Sequence, residues 1–337
     1  MSPLSILIIA IAGFNTLAKY NVQYYVNGIE SAYDDTFSTT KNHPDSTITV
    51  GTFNAAILKM KVAGKNFEPT PLTIERLHEI PNQLRKLDVD ILGIQEVYEE
   101  ENKLYLIDEL KSEFPYCIYY QKRRKKSVGL PNGLMFLSKI PILASQFTLY
   151  HRNPLTEKIM ADKGILTVEL MVGSKRITIT NTHTTVGGGL YHTESDKANS
   201  VRNKQIQQAI QITRSTKSLI EIILGDFNAG PNVSAINYQL LLDSGFVDTY
   251  NTICGDTCDE ATWDPTNILN NSGHFPDSPP QRIDNIFVTS NGEFEVLSGD
   301  VILDEEVLEN EGKMYPISDH YGYSTRIKLK QLHHNKR

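Results

Sequence analysis

Two rhythms of apolar residues run along the chain. One alternates, as in "TITVGTFNAAIL" from Thr47, where β-branched residues predict a strand. The short apolar run "VDILGIQEV" predicts a buried strand, and so do "GLMFLSKIPI" and "GILTVELMV". "KRITITNTHT" follows the last of these across a Gly-Ser turn, which predicts a hairpin. "LIEIILGDFN", "QRIDNIFVTS" and "HYGYSTRIKLK" predict three more strands. The other rhythm is helical. "TIERLHEIPNQLRKL" has it, with Pro81 expected to kink or break the helix. "KLYLIDELKSEF" has it too, as does "SVRNKQIQQAIQITRSTK", where Ser200 is the expected N-cap.

Strands outnumber helices and helices intervene between them. This predicts sheets covered by helices, one α/β domain over residues 46–330. Residues 19–45 are polar and read as a linker or peripheral segment. Before them, "SILIIAIAGF" is an apolar stretch followed by small residues, which suggests a signal peptide over residues 1–18 and a secreted or extracytoplasmic protein. The stretch is short of the roughly 20 residues of a spanning helix. An uncleaved membrane anchor is the alternative, and a buried helix is a third reading.

Composition narrows the class. With 337 residues, 40% hydrophobic and 22% charged, the chain can bury a large core. A net charge of −7 argues against a protein that coats nucleic acid, although "KRRKK" at Lys122–Lys126 leaves an anionic contact open. Cys117 lies among aromatics in "FPYCIYY" and is expected to be buried. Cys254 and Cys258 are spaced for a small disulfide loop, and the neighbourhood lacks partners for zinc.

Polar residues collect where the apolar strands run out. Asn54 follows "TVGTF", Gln95 and Glu96 follow "DILGI", and His183 follows "TITNT". Asp226 and Asn228 follow "IILG", Asp284 lies in "RIDNIFV", and Asp319 and His320 lie in "ISDHYG". Ligand sites of α/β sheets gather at strand ends. In "LGDFNAG" the ordinary explanation of Asp226 and Asn228 is turn chemistry. Residues two apart on a strand nevertheless share a face, so both can meet one phosphate or ion. Oxygen ligands such as Asn54, Glu96 and Asp319 suit Mg²⁺. A histidine held by a carboxylate, His320 by Asp284, suits proton abstraction from water. Together these residues predict metal-assisted phosphodiester hydrolysis.

The ordered motifs "TFNAAIL", "GIQEV", "NTHTT", "LGDFN", "RIDNIF" and "SDHYG" resemble the endonuclease/exonuclease/phosphatase superfamily across residues 48–330. That resemblance implies a DNase I-like four-layer α/β sandwich, two packed and mainly antiparallel β-sheets flanked by helices. Within it, "NGLMFLSKIPI", "DKGIL", "SVRNKQIQQAIQI" and the stretch from Trp263 to Val288 are similar to the neutral Mg²⁺-dependent sphingomyelinases. The resemblance implies hydrolysis of sphingomyelin to ceramide and phosphocholine by a monomer at a membrane surface, using Mg²⁺ with Mn²⁺ or Co²⁺ as substitutes. It implies Glu96 as the central metal ligand, with Asn54 and Asp319 nearby. His183 would stabilise phosphate or the leaving group, and Asp226 and Asn228 would position phosphate and water. His320 would be the base oriented by Asp284. Asp162 and Lys163 match a pair beside the site, where Lys163 would contact phosphate or else stand as a surface lysine. A secreted Mg²⁺-dependent DNase of the same superfamily is the alternative reading. One departure stands out: "DEEVLENEGKMYPISDH" is acidic and holds only Tyr315, where secreted bacterial members carry an aromatic-rich, membrane-entering hairpin. The Gly-rich "TTVGGGLYH" after His183 reads as a mobile loop or a surface turn.

Overall fold

The computed structural model describes residues 20–26, 29–31, 46–62, 65–122, 129–186, 195–255, 260–272 and 278–330. The expected signal segment, most of "KRRKK", most of the Gly-rich stretch and Cys258 lie outside the described residues.

One sheet is built around β3 (Thr47–Ile57), which pairs in parallel with β6 (Ile91–Val97). Antiparallel β18 (Gly322–Leu329) and β15 (Phe294–Ile302) extend it on one side. On the other lie β8 (Met135–Ser138), β7 (Tyr116–Lys122), β1 (Tyr20–Val26) and β2 (Ile29–Ser31). Two strands therefore stand inside the segment read as a linker or peripheral stretch: β1 pairs with β7 along its whole length, from Tyr20↔Lys122 to Val26↔Tyr116. The second sheet runs β13 (Phe246–Asp248), β14 (Asp284–Thr289), β12 (Ile220–Asp226), β11 (Lys175–His183), β10 (Gly164–Val172), β9 (Ile142–Leu149). Its β11–β12 pair is parallel and its other pairs are antiparallel. Two short hairpins, β4 (Met60–Val62) with β5 (Lys65–Phe67) and β16 (Leu308–Asn310) with β17 (Lys313–Tyr315), stand apart from the sheets. The acidic segment thus forms a hairpin, whose exposed apolar residue is Met314.

Four layers follow from where the apolar faces go. Between the sheets, Val50, Ile91 and Phe136 pack with Leu166, Ile179, Ile222 and Ile286. The outer face of the first sheet, with Phe53, Leu92 and Ile94, is sealed by Leu77, Ile80 and Leu84 of α1 (Thr73–Leu84) and Leu106 of α2 (Glu100–Leu110). The outer face of the second, with Ile223 and Phe287, is sealed by α4 (Asp196–Ser215) and α5 (Ala235–Asp243), through Ile206, Ile210 and Tyr238. Short helices α3 (Leu155–Met160) and α6 (Thr249–Cys254) fill the margins. This is the DNase I-like sandwich expected from the sequence.

Two helix details differ from the sequence reading. Pro81 lies inside α1, and the helix continues past it to Leu84 because Ile80 and Leu84 are held against the sheet. The N-cap of α4 is Ser195, whose Oγ accepts from Ala198 N at 3.3 Å; Ser200 sits within the helix. Cys117 is buried and takes no part in a disulfide, and Cys254 is disulfide-bonded.

A buried lysine stands at the helix–sheet seam. Lys103 of α2 is fully buried and donates to the Asn132 carbonyl at 2.6 Å, with its ammonium 5.5 Å from the Tyr119 ring. Burial pushes its pKa down to about 7. The unfolded chain then binds more protons than the folded one between pH 7 and the ordinary lysine range, so this group makes stability rise with pH across that window. We expect the unfolding free energy of wild type, from urea titration, to gain on that of Lys103→Met by on the order of 2 kcal/mol between about pH 7 and pH 9. Parallel pH profiles for the two proteins would contradict this.

Candidate active site

The two parallel strand pairs carry their C-terminal ends to one edge of the sandwich, and register does the rest. Asn54 of β3 lies opposite Gln95 of β6, with Glu96 next in line. On the second sheet His183 of β11 lies opposite Asp226 of β12, which lies opposite Asp284 of β14. Side chains of both sheets meet there: Asn54 Nδ2 donates to Asp226 Oδ2 at 3.0 Å and lies 3.4 Å from Glu96 Oε1. His183 Nε2 is 3.5 Å from Asp226 Oδ2 and 3.7 Å from Glu96 Oε1.

Local backbone aims these groups. Glu96 and Asn228 have φ of 59° and 46°, the left-handed region that non-glycine residues seldom adopt. At Glu96 this turn breaks the alternation of the strand. Gly133 lies so close that a Cβ there would come within 3.0 Å of the Glu96 backbone. Asn228 turns back on Asp226: its N–H donates to Asp226 Oδ1 at 2.8 Å, and its Nδ2 donates to the Thr184 carbonyl at 3.2 Å.

The turn bearing Asp319 and His320 is fixed from outside. Asn267 Nδ2 donates to the Ser318 carbonyl and Asn270 Nδ2 to the Asp319 carbonyl, both at 3.0 Å. Thr262 binds on two sides: its carbonyl accepts from Tyr321 N, and its Oγ1 accepts from Ile283 N and Asp284 N. The segment 262–270 thereby ties the start of β14 to the His320 turn. It delivers His320 Nδ1 to 2.9 Å from Asp284 Oδ2, with Asp284 fully buried and His320 8% exposed.

Electrostatics divides the two histidines. Burial pushes the His183 pKa down to about 3, and the Lys163 charge acts the same way. The ring is neutral at pH 7. Lys163 Nζ lies 3.3 Å from Nε2; an ammonium only donates, so Nε2 accepts and the ring proton sits on Nδ1. For His320, burial lowers the pKa, but the charge and hydrogen bond of Asp284 outweigh it, with Asp226 and Asp319 adding, and the ring is held well above its ordinary value.

The acids fit a divalent cation. Desolvation and the nearby Asp319 charge push Glu96 up to about 7. Carboxylates converging this way repel unless a cation joins them. Glu96 and Asp319 offer hard oxygens, with Asp319 Oδ2 held by Thr70 Oγ1 at 2.8 Å. Asp226, Asp284 and His320 also lie within 4.8 Å of one another, with His320 Nδ1 and Asp284 Oδ2 joined by their own hydrogen bond.

Asn54 presents its amide nitrogen to Asp226 and Glu96, and its Oδ1 accepts from Ala56 N at 3.1 Å, so it ties the acid pair together. Gln95 belongs to the core instead, where its amide donates to Asn181 Oδ1 at 2.8 Å and to Thr52 Oγ1, tying the sheets together. Arg76, Thr262, Asn267 and Asn270 support the site and were not singled out from the sequence. Arg76 did leave a signal: with Thr73, Leu77, Ile80 and Leu84 it falls on the apolar stripe of its helix.

A Drosophila melanogaster protein that bears the name of a neutral sphingomyelinase is 27% identical over 276 residues, covering 76% of this chain and 57% of that protein. The inositol phosphosphingolipids phospholipase C of Saccharomyces cerevisiae is 26% identical over 207 residues, 58% of this chain and 41% of that one. The chain spans about half the length of the curated relatives it matches. Among solved structures, SmcL superimposes with a TM-score of 0.62 at 21% identity, covering 84% of this chain and 99% of SmcL. Beta toxin from Staphylococcus aureus, solved with bound magnesium ions, gives 0.60 at 17% over 84% and 99%. Zebrafish (D. rerio) TDP2 complexed with a single-strand DNA product gives 0.61 at 16% over the same shares, so likeness of fold does not separate lipid from DNA. The family model of the Endonuclease/Exonuclease/phosphatase family matches residues 51–320, which is most of the chain. The chain belongs to the endonuclease/exonuclease/phosphatase family.

Proposed function

We propose that this protein is a divalent-metal-dependent phosphodiesterase that hydrolyses a sphingolipid phosphodiester, sphingomyelin to ceramide and phosphocholine. The carrying observation is the His320–Asp284 pair at 2.9 Å, beside Asp226 and within the charge field of Asp319. The names of the two sphingolipid-directed relatives support the substrate class. We also propose a membrane-surface, extracytoplasmic setting, on the strength of the N-terminal apolar stretch. No helix among the described residues is long and apolar enough to cross a membrane.

In this reading Asp284 holds Nδ1 of His320, and in the deprotonated ring Nε2 takes a proton from the attacking water. Asp226, fixed by Asn54 and Asn228, orients that water or the phosphoryl group. Lys163 contributes positive charge beside the phosphoryl oxygens, and neutral His183 lines the leaving-group side without competing for the base's proton. Mg²⁺, held by Glu96 and Asp319, would neutralise charge on the phosphoryl oxygens when bound.

The test is a panel of sphingomyelin, inositol phosphosphingolipid, phosphatidylcholine and plasmid DNA, each with Mg²⁺ or EDTA. Sphingomyelin turnover that EDTA abolishes and Mg²⁺ restores is the expected result. Plasmid nicking well above lipid turnover would transfer the assignment to a nuclease. Glu96→Gln should raise the Mg²⁺ concentration for half-maximal activity at least about tenfold, because Mg²⁺ takes few protein oxygens and one is lost. An unchanged Mg²⁺ requirement would remove Glu96 from the metal site.

A further inference from the structure

Asn132 precedes β8 and is 1% exposed. Its Oδ1 accepts from Leu134 N at 2.9 Å, and its main-chain carbonyl accepts from buried Lys103 at 2.6 Å. The residue is therefore fixed through two acceptors, but its Nδ2 meets no partner among the described residues. A buried amide without an acceptor is uncommon and calls for a ligand or a water.

Asn132 lines a cavity of about 10 Å³ together with Tyr98, Gly133, Lys163 and His183. That volume accommodates a single oxygen, whether of one water or of one phosphoryl group. No carboxylate lines it. Lys163 supplies its positive charge, but the ammonium is already engaged by His183 Nε2, the Thr184 carbonyl and Glu157 Oε2 at 3.3, 3.0 and 3.4 Å. Two of its three hydrogens go to His183 Nε2 and the Thr184 carbonyl, while Glu157 Oε2 pairs with the charge without a hydrogen bond. Beside that charge, Asn132 Nδ2 is a buried donor with no partner among the described residues. Gly133, next in sequence, packs on the Glu96 backbone, so this amide is held rigidly beside the proposed metal ligand.

We propose that Asn132 binds substrate, its Nδ2 donating a hydrogen bond to a non-bridging phosphoryl oxygen that enters this cavity. The assignment rests on the phosphodiesterase reading above. It makes Asn132 a preorganised donor to an oxygen whose negative charge grows during the reaction.

The experiment compares wild type with Asn132→Asp and Asn132→Ala, using sphingomyelin in mixed micelles with Mg²⁺ and inorganic phosphate as a binding probe. Asn132→Asp keeps the acceptor for Leu134 N and the shape of the side chain, so it carries the comparison if Asn132→Ala does not fold. We expect kcat/KM to fall about 100-fold in both, and phosphate affinity measured by calorimetry to weaken about tenfold. Folded variants with wild-type turnover and phosphate affinity overturn the role of Asn132 and leave the phosphodiesterase reading intact. A wild type inactive on every phosphodiester overturns that reading; phosphate affinity unchanged in Asn132→Asp then overturns the role of Asn132 as well. A crystal structure of wild type with phosphate gives a check free of any variant. Phosphate oxygen on Nδ2 supports the assignment, and water on Nδ2 with phosphate bound elsewhere overturns it.

Discussion

Replacing His320 with alanine lowers kcat by about 10³-fold while leaving the fold intact, the magnitude expected when a positioned general base is lost. The ring is nearly buried, and its hydrogen-bond partner is a carboxylate with no exposure, so removal deletes the proton acceptor and spares the strands around it. Asp284→Asn gives a different signature. The Asp284 charge holds the His320 pKa above its ordinary value, so removing that charge lowers it. Deprotonated base is then present at lower pH, and the acid limb of the kcat/KM profile moves toward lower pH, with a lower plateau because the base is weaker. Coincident acid limbs for wild type and Asp284→Asn would show that another group controls the titration, and near-normal turnover by His320→Ala would show that His320 is not the base.

The sequence reveals this site to the extent that strand ends are visible in it. Alternation and β-branched residues mark β3, β11 and β12, and a polar residue after each marks the edge where their ends gather. The opposition of Asp226 to Asp284 is not visible, because it depends on the register of two strands far apart in the chain. Gln95 shows how proximity in sequence misleads. It directly precedes Glu96, yet it points into the core toward Asn181, while a left-handed backbone at Glu96 turns that side chain to the edge. The start of α4 was misread because its first turn is polar. The apolar rhythm begins only near Val201, whereas the cap is set by Ser195 bonding Ala198 N. Strands β1 and β2 escaped because their pairing partner, β7, supplies the reason for their extension. Asn132 sits in "LPNGL", which reads as a turn, and only its long-range surroundings reveal an amide without an acceptor.

Arg76 carries the other large expected effect. Its side chain is fully buried and makes no direct ion pair among the described residues; its donors go to five main-chain carbonyls. Nε donates to Pro71, Nη1 to Ala55 and Ile317, and Nη2 to Ala56 and Thr70, at 2.8–3.2 Å. These carbonyls belong to the residues just after Asn54, to the loop whose Thr70 holds Asp319, and to the residue before Ser318. One guanidinium therefore clamps three segments that converge on the metal site. Burial lowers its pKa to about 10, with Asp319, Glu68 and Glu96 opposing, so it stays charged at neutral pH. Arg76→Met removes five hydrogen bonds to main-chain carbonyls, of which that of Thr70 keeps a second donor, Thr73 Oγ1, and should cost on the order of 3–5 kcal/mol, less than the sum of separate penalties because the segments relax together. At that size Tm falls by roughly 10 °C. Arg76→Lys is the sharper test. Lysine keeps the charge but has three donors on one point and cannot span a planar fork of five. If the fork matters, Arg76→Lys unfolds nearly as early as Arg76→Met. If only charge near Glu96 and Asp319 matters, Arg76→Lys melts like wild type. Added Mg²⁺ separates stability from site geometry. Ligand binding raises Tm in proportion to how well the folded site is formed, so Mg²⁺ should stabilise wild type and give Arg76→Lys much less, because Asp319 is no longer fixed by the Thr70 loop. An equal Mg²⁺-induced rise in Tm for both proteins would confine Arg76 to the fold and remove it from the positioning of the metal ligands.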